Sequence, residues 1–332
     1  MKEILLSHGG GGEETWGLIK DLFFRHFSNP ALLSMEDSAI LTVNPKIAFT
    51  TDSFTVAPPF FKGSNIGKLS IAGTVNDLAV MGARPLYISA GFIIEEGFPY
   101  SELEDIVRGM ADEAGRAGVK IVTGDTKVVP RGNADRIFIN TSGIGEVVRD
   151  GLSASGIRDG DAIIISGSTG DHGACIIALR DGMGLDIDVE SDCRSIWDIV
   201  EGVLMTGADI HAMRDPTRGG LSAVLNEWAR QSGVCIEIEE DKVPVKGPVR
   251  GLCEMLGFDP MHLACEGRVV FAVADADKKM VLDTIREHPE GRDASIIGRA
   301  AAGHPGRVVL KTPWGSGRIM EPPAGELLPR IC

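Results

Sequence analysis

Apolar residues in this sequence come in strand-sized packets, such as Ala162–Ile165, and glycines sit at the ends of the packets. A glycine at such a place lets the chain turn, or lets its backbone approach another group closely. The pattern points to short strands and helices joined by tight turns. No packet approaches the roughly 20 apolar residues that a bilayer-spanning helix needs. The 42 glycines are spread along the chain rather than gathered in low-complexity tracts. The opening stretch, MKEILLSHGGGG, has no long apolar core followed by a small-residue cleavage site. A soluble protein of the cytoplasm is the expectation.

At 332 residues, 43% of them hydrophobic, the chain has material for two cores. Residues 1–41 hold a glycine run and an amphipathic helix around Glu14–His26. Strands are predicted at Lys46–Val56, Leu86–Ile94, Lys120–Val129 and Arg136–Val148, with helices at Asn65–Met81 and Ser101–Ala117. Ser101 followed by Glu104 fits a capping box. The order β-α-β-α-β-β defines a first unit over 42–149, of α/β or α+β class. The polar, glycine-rich stretch Arg149–Asp161 marks the boundary to a second α/β unit over 150–311. There, strands are expected at Ala162–Ser166, Cys235–Ile238, Val269–Ala274, Ser295–Gly298 and Arg307–Lys311. Helices are expected at Ala174–Asp181, Cys193–Met205 and Gly220–Ser232. The rest, 312–332, carries four prolines (313, 322, 323, 329) and reads as a mobile tail reaching out from the body.

A formal net charge of −14 repels phosphate backbones and argues against nucleic acid as a partner. A bound nucleotide would need metal ions and local donors to offset its phosphates. The six cysteines (175, 193, 235, 253, 265, 332) include no C-x-x-C pair, which excludes a zinc-finger spacing, and His262-x-x-Cys265 alone does not make a tetrahedral site.

Several motifs carry chemistry. The run Gly9, Gly10, Gly11, Gly12 offers side-chain-free amides that could wrap a triphosphate, or it could be a plain arm. Asp52 in TTDSF and Asp125 in TGDTKVV follow β-branched runs, and Asp77 in NDLAVMGA lies in a helical stretch. Each could be a turn cap, but three such acids in one half of the chain tilt toward metal. Lys127 would share a strand face with Asp125. DPTRGGL, Asp215–Leu221, opens a helix with Arg218 beside it, an anion-friendly junction. GSTGDHG, Gly167–Gly173, is a strand-turn-helix without the dinucleotide fingerprint, and GSNIGKL, Gly63–Leu69, is one residue short of a P-loop. Glu266 in ACEGR could act as a general base. PRIC ends on Cys332: an exposed thiol is seldom kept for packing and could swing between sites on such a tail, or it could be an accidental last residue.

Together these motifs resemble the HypE family of hydrogenase maturation proteins, within the aminoimidazole ribonucleotide synthetase (PurM-like) superfamily. The internal blocks are shared across the superfamily, and PRIC is the specific one, because the family's acceptor cysteine sits there. The resemblance implies a two-domain PurM-like fold in a homodimer that pairs its N-terminal sheets, with ATP near the subunit interface. It implies a carbamoyl dehydratase: the carbamoyltransferase HypF loads Cys332, and ATP with Mg²⁺ phosphorylates the amide oxygen. Loss of phosphate then leaves a thiocyanate, and the HypC–HypD complex accepts the cyanide for a [NiFe]-hydrogenase iron. It places Asp52, Asp77 and Asp125 at the metal, and Gly9–Gly12, Asn76, Thr126, Asp215 and Arg218 around the nucleotide. Lys127 and Glu266 would handle the amide protons. The alternatives are another ATP-using kinase or synthetase of the superfamily, or a non-catalytic carrier that presents Cys332. A selenophosphate synthetase would want a cysteine near the N-terminal glycines, where there is none.

Overall fold

The computed structural model describes residues 3–9, 17–33, 46–180, 187–322 and 330–332. Residues 17–27 are helical, and so are Pro30–Leu33. The first three positions of the helix expected around Glu14–His26 lie outside the described residues. The first unit then runs β1 (Ile47–Phe54), the short hairpin β2 (Phe60–Phe61) and β3 (Ser64–Asn65), α1 (Ile66–Val80), β4 (Ala83–Glu95), α2 (Tyr100–Ala117), β5 (Lys120–Val129) and β6 (Ile137–Val147). Its sheet has the order β1-β6-β4-β5, with only β4 and β5 parallel.

The second unit runs β7 (Ala162–Ile165), α3 (Asp171–Arg180), α4 (Trp197–Met205), β8 (Ile210–Arg214), α5 (Gly220–Ser232), β9 (Cys235–Glu239), α6 (Gly247–Leu256), β10 (Val270–Val273), α7 (Lys278–Glu287), β11 (Ser295–Ala301), β12 (Val308–Lys311) and β13 (Gly317–Ile319). Its sheet is ordered β13-β12-β9-β11-β7-β10-β8. The two units match the two-domain PurM-like expectation.

Helix α1 is the middle layer. The Asn65 side chain caps it by accepting from Lys68 N at 2.9 Å. All of its residues are buried except Lys68 and Asp77. One side lies on β1, β6 and β4, and α2, α4 and β8 pack around the rest. Small residues permit this close approach: a Cβ on Gly67 would sit 2.1 Å from Ile106 O. A continuous apolar core links Phe54, Val75 and Met110 to Val200 and Phe271, while Leu225 and Trp228 of α5 anchor a second core. The face of the first sheet away from α1 carries Phe49, which is 68% exposed, with Ile47 beside it and Ile93 further along.

Several expectations need correction. Ser101 does not cap α2: the helix begins at Tyr100, Pro99 precedes it without a side-chain cap, and Glu104 pairs with Arg25. The helix expected from Cys193 starts at Trp197, because the polar groups before it are tied elsewhere. Ser195 N donates to the Glu113 carboxylate at 2.6 Å, and Cys193 N donates to Ser191 Oγ at 3.1 Å. Strand β8, α6, α7 and β13 were not expected at all. Nor does the tail reach out where it is described. β13 pairs with β12, Met320 is buried, and residues 330–332 lie against the body.

Candidate active site

Pairing in the first sheet decides which acids meet. Asp52 stands opposite Thr141, which is buried and bonds Thr74 of α1 at 2.5 Å, so Asp52 points toward α1. Asp77, on the last turn of α1, accepts from Thr50 Oγ1 at 2.7 Å. Asp215 leaves the end of β8 and faces the same space. Asp77 and Asp215 both line a cleft of about 430 Å³ between the layers, together with Thr50, Met213 and Trp228.

These carboxyls press on one another. Burial first, then the neighbouring Asp77, raises Asp52 to about 6, against the opposing pull of Arg218. Burial and the charge of Asp77 raise Asp215 to about 7. Glu266 is pushed well above the usual carboxylate range by burial and by Asp215, and its buried Oε1 has no hydrogen-bond partner.

Two glycine-built turns bring Asp215 and Glu266 together. Gly219 and Gly220 both have positive φ, and a Cβ on Gly220 would lie 2.5 Å from Leu263 O. That close approach lets Cys265 N donate to Pro216 O at 2.9 Å. A Cβ on Gly267 would lie 1.9 Å from Asp192 O, and the Asp192 carboxylate accepts from Glu266 N and Gly267 N at 3.1 and 3.2 Å.

The residues expected at the site fall into two groups. Asp52, Asp77, Asp215, Arg218 and Glu266 share one field. Asp125 and Lys127 do not join them: Asp125 pairs with Gly91 and Lys127 with Ile93, on the face away from α1. There both are exposed, 3.7 Å apart as an ion pair. Thr126 points the other way, and its backbone N donates to Asp125 Oδ1 at 2.9 Å. Within one chain, then, Asp215 stands where Asp125 was expected as the third acid. Gly9 closes the turn Leu6–Gly9, which packs beside β5, and Gly10, Gly11 and Gly12 lie outside the described residues.

Asn76, expected around the nucleotide, is held as a clamp between α1 and two loops. It is fully buried, its amide donates to Arg194 O and Glu266 O at 3.1 and 3.2 Å, and its Oδ1 accepts from Ile196 N at 2.9 Å. Among the described residues no three His, Cys, Asp or Glu side chains converge into a ready metal cage. The donor set still fits a hard cation, since mutually repelling carboxylates at the edge of a cleft are the oxygen ligands that Mg²⁺ takes.

Cys332 is half-buried, and Thr55 N, three residues beyond Asp52, donates to its main-chain oxygen at 3.0 Å. The other five cysteines are buried. Burial pushes Cys175, Cys193 and Cys265 up, and Cys253 to about 11.

The fold and its paired motifs are those of the AIR synthase related proteins. That family's N-terminal domain matches residues 35–147 and its C-terminal domain residues 158–311, and the chain belongs to this family. Within it, the chain falls among the HypE carbamoyl dehydratases. It is 46% identical to the carbamoyl dehydratase HypE of Azotobacter vinelandii over 98% of this chain and 96% of that one. It is 44% identical to that of Escherichia coli strain K12 over the full length of both. A crystal structure of HypE in complex with ATP superposes with a TM-score of 0.95 at 46% identity, covering 99% of each chain. HypE in a HypE–HypF complex superposes at 0.81 and 45% identity, covering 92% of this chain and 99% of that one. Thiamine monophosphate kinase from Aquifex aeolicus, at 21% identity and a TM-score of 0.62, shares the fold over 94% of this chain and all of its own.

Proposed function

We propose that this enzyme dehydrates a carbamoyl group held on Cys332 to a thiocyanate, consuming ATP, and so supplies cyanide for a [NiFe]-hydrogenase iron. The observation that carries the reading is one strand joining both halves of the chemistry. β1 presents Asp52 to the acidic cleft and runs on to Thr55, which grips Cys332. Three residues of extended chain span roughly 10 Å, so the main chain of Cys332 is held about that far along the strand from Asp52.

The amide oxygen of an S-carbamoyl group is a poor leaving group, and transfer of the γ-phosphoryl from ATP makes it a good one. Loss of phosphate and of the nitrogen protons closes the C≡N bond. The net change is S-carbamoyl and ATP to S-cyano, ADP and phosphate. Asp52, Asp77 and Asp215 would hold Mg²⁺, which offsets charge on the transferring phosphoryl. Glu266, buried and unpartnered at Oε1, is suited to take a proton from the amide nitrogen. Arg218, a cation facing Asp52, would meet the phosphates.

Asp125 and Lys127 occupy the uncovered side of the first sheet, and the Leu6–Gly9 turn packs beside its edge strand β5. A homodimer pairing these sheets would cover Phe49 and let one copy's Asp125, Lys127 and Gly9–Gly12 complete its partner's cleft, beside Thr126. HypF, seen in a complex with a HypE relative, would load Cys332. A HypC–HypD complex would take the cyanide, all in the cytoplasm. The test is the mass of the C-terminal peptide after incubation with HypF, carbamoyl phosphate and Mg-ATP. The expected result is a carbamoyl adduct on Cys332 that loses one water only with hydrolysable ATP. An unmodified Cys332 while ATP is consumed on a free small molecule would replace this reading with that of a kinase of the same fold.

A further inference from the structure

Residues 330–332 are gripped by their main chain. Thr55 donates to the main-chain oxygen of Cys332 from its N at 3.0 Å and from its Oγ1 at 3.3 Å. His172 Nε2 lies 2.8 Å from the Ile331 carbonyl, while Ala57 N, at 3.4 Å, and Arg180 meet the Arg330 carbonyl. The Ile331 side chain is buried in the continuous core.

The hydrogen positions around His172 follow from its partners. A carbonyl can only accept, so Nε2 carries the proton. In the neutral ring Nδ1 is then an acceptor, and it lies 2.8 Å from Ser191 Oγ. The Ser191 oxygen in turn accepts from Cys193 N at 3.1 Å, which leaves the hydroxyl proton for Nδ1. Three donors therefore point in series, Cys193 N–H to Ser191 to His172 to Ile331. The ring is fully buried at the first turn of α3, edge-on to Phe61 at 5.3 Å. Its burial and the Arg180 charge nearby lower its affinity for a second proton to a pKa of about 4, so the donor-acceptor form persists through neutral pH.

We propose that His172 is a positioning residue. It seats the C-terminal segment by donating to the Ile331 carbonyl, beside the bonds that the Arg330 side chain makes to Thr55 O at 2.8 Å and to Asp135. The purpose of the seat rests on Cys332 being the acceptor, but the seat itself does not.

The experiment reads alkylation of Cys332 in the native full-length protein by iodoacetamide, from the mass of the C-terminal peptide. His172→Phe keeps a buried ring but leaves the Ile331 carbonyl without its donor. Labelling should quicken about tenfold, the factor that corresponds to one buried hydrogen bond. His172→Gln, which can return an N–H near the Nε2 position, should restore the wild-type rate. Ser191→Ala, a milder change that breaks the relay one step back, should quicken labelling several-fold, and it serves if the phenylalanine variant does not fold. Wild-type labelling rates in His172→Phe or in Ser191→Ala would overturn the proposal. Cys332→Ser should keep Thr55 and Ala57 amide protection against hydrogen exchange at the wild-type level, and loss of that protection would show that the sulfur does the holding. If the labelling rates move as expected but HypF leaves Cys332 unmodified, the acceptor reading fails and the seat stands.

Discussion

Asp215 shows how one side chain links stability to the task. Its ordinary pKa is 3.8, and the fold raises it to about 7, as it raises Asp52 to about 6. The folded chain thus holds these protons more tightly than the unfolded one. Their contribution is fully present below pH 3.8 and is lost as pH rises through 6 to 7. Above that, the fold bears the repulsion of the bare carboxylates. Asp215→Asn should therefore melt a few degrees higher than wild type at pH 8 without nucleotide, corresponding to about 1–3 kcal/mol. The gap should narrow as pH falls below 7. The same variant should lose the extra thermal stability that Mg-ATP gives the wild type. Calorimetry across pH, with and without Mg-ATP, checks both. A wild-type gain from Mg-ATP in the variant would remove Asp215 from the site.

At the scale of elements, α1 organises the cleft, and Asn76 ties it to the loops at 194–196 and 266. Asn76→Ala strips two buried carbonyls and one amide of their partners, and it should cost about 2–4 kcal/mol, read as a lower denaturant midpoint at unchanged slope. Much of this level was legible in sequence. Alternating and β-branched runs located β1, β5 and β6 to within a residue or two. Strand β8, IHAMR, escaped notice because histidine and methionine break its alternation, and α6 because it opens with Gly-Pro and contains Gly251. Cys193–Ile196 has helical composition, but its polar groups serve tertiary bonds that no local pattern reveals. The acids stood out by position, yet their grouping did not. Alternation put Asp125 and Lys127 on one face, but which face α1 would cover is fixed only by the pairing of β1 with β6 and of β4 with β5.

For the whole molecule, the uncovered sheet face is the feature that one chain leaves unfinished. Phe49→Glu should yield monomers by light scattering and abolish ATP-dependent dehydration, with a native circular dichroism spectrum because Phe49 is exposed in the single chain, and its melting point should lose the concentration dependence of a dimer. Mixing inactive Asp77→Asn and Asp125→Asn chains should recover part of the activity if each cleft draws on both copies. No recovery would place Asp125 outside the shared site.

The burial of the five other cysteines bears on fidelity. A carbamoyl donor, or an electrophilic cyano group in transit, reacts with whatever thiolate it meets. These five sulfurs are buried, and burial biases four of them toward the protonated form, so few thiolates are there to react. A single half-buried thiol is left to answer. On the acceptor role proposed for Cys332, the selectivity of loading is partly subtractive: a loading enzyme need not discriminate among six nucleophiles, because the fold has already withdrawn five of them.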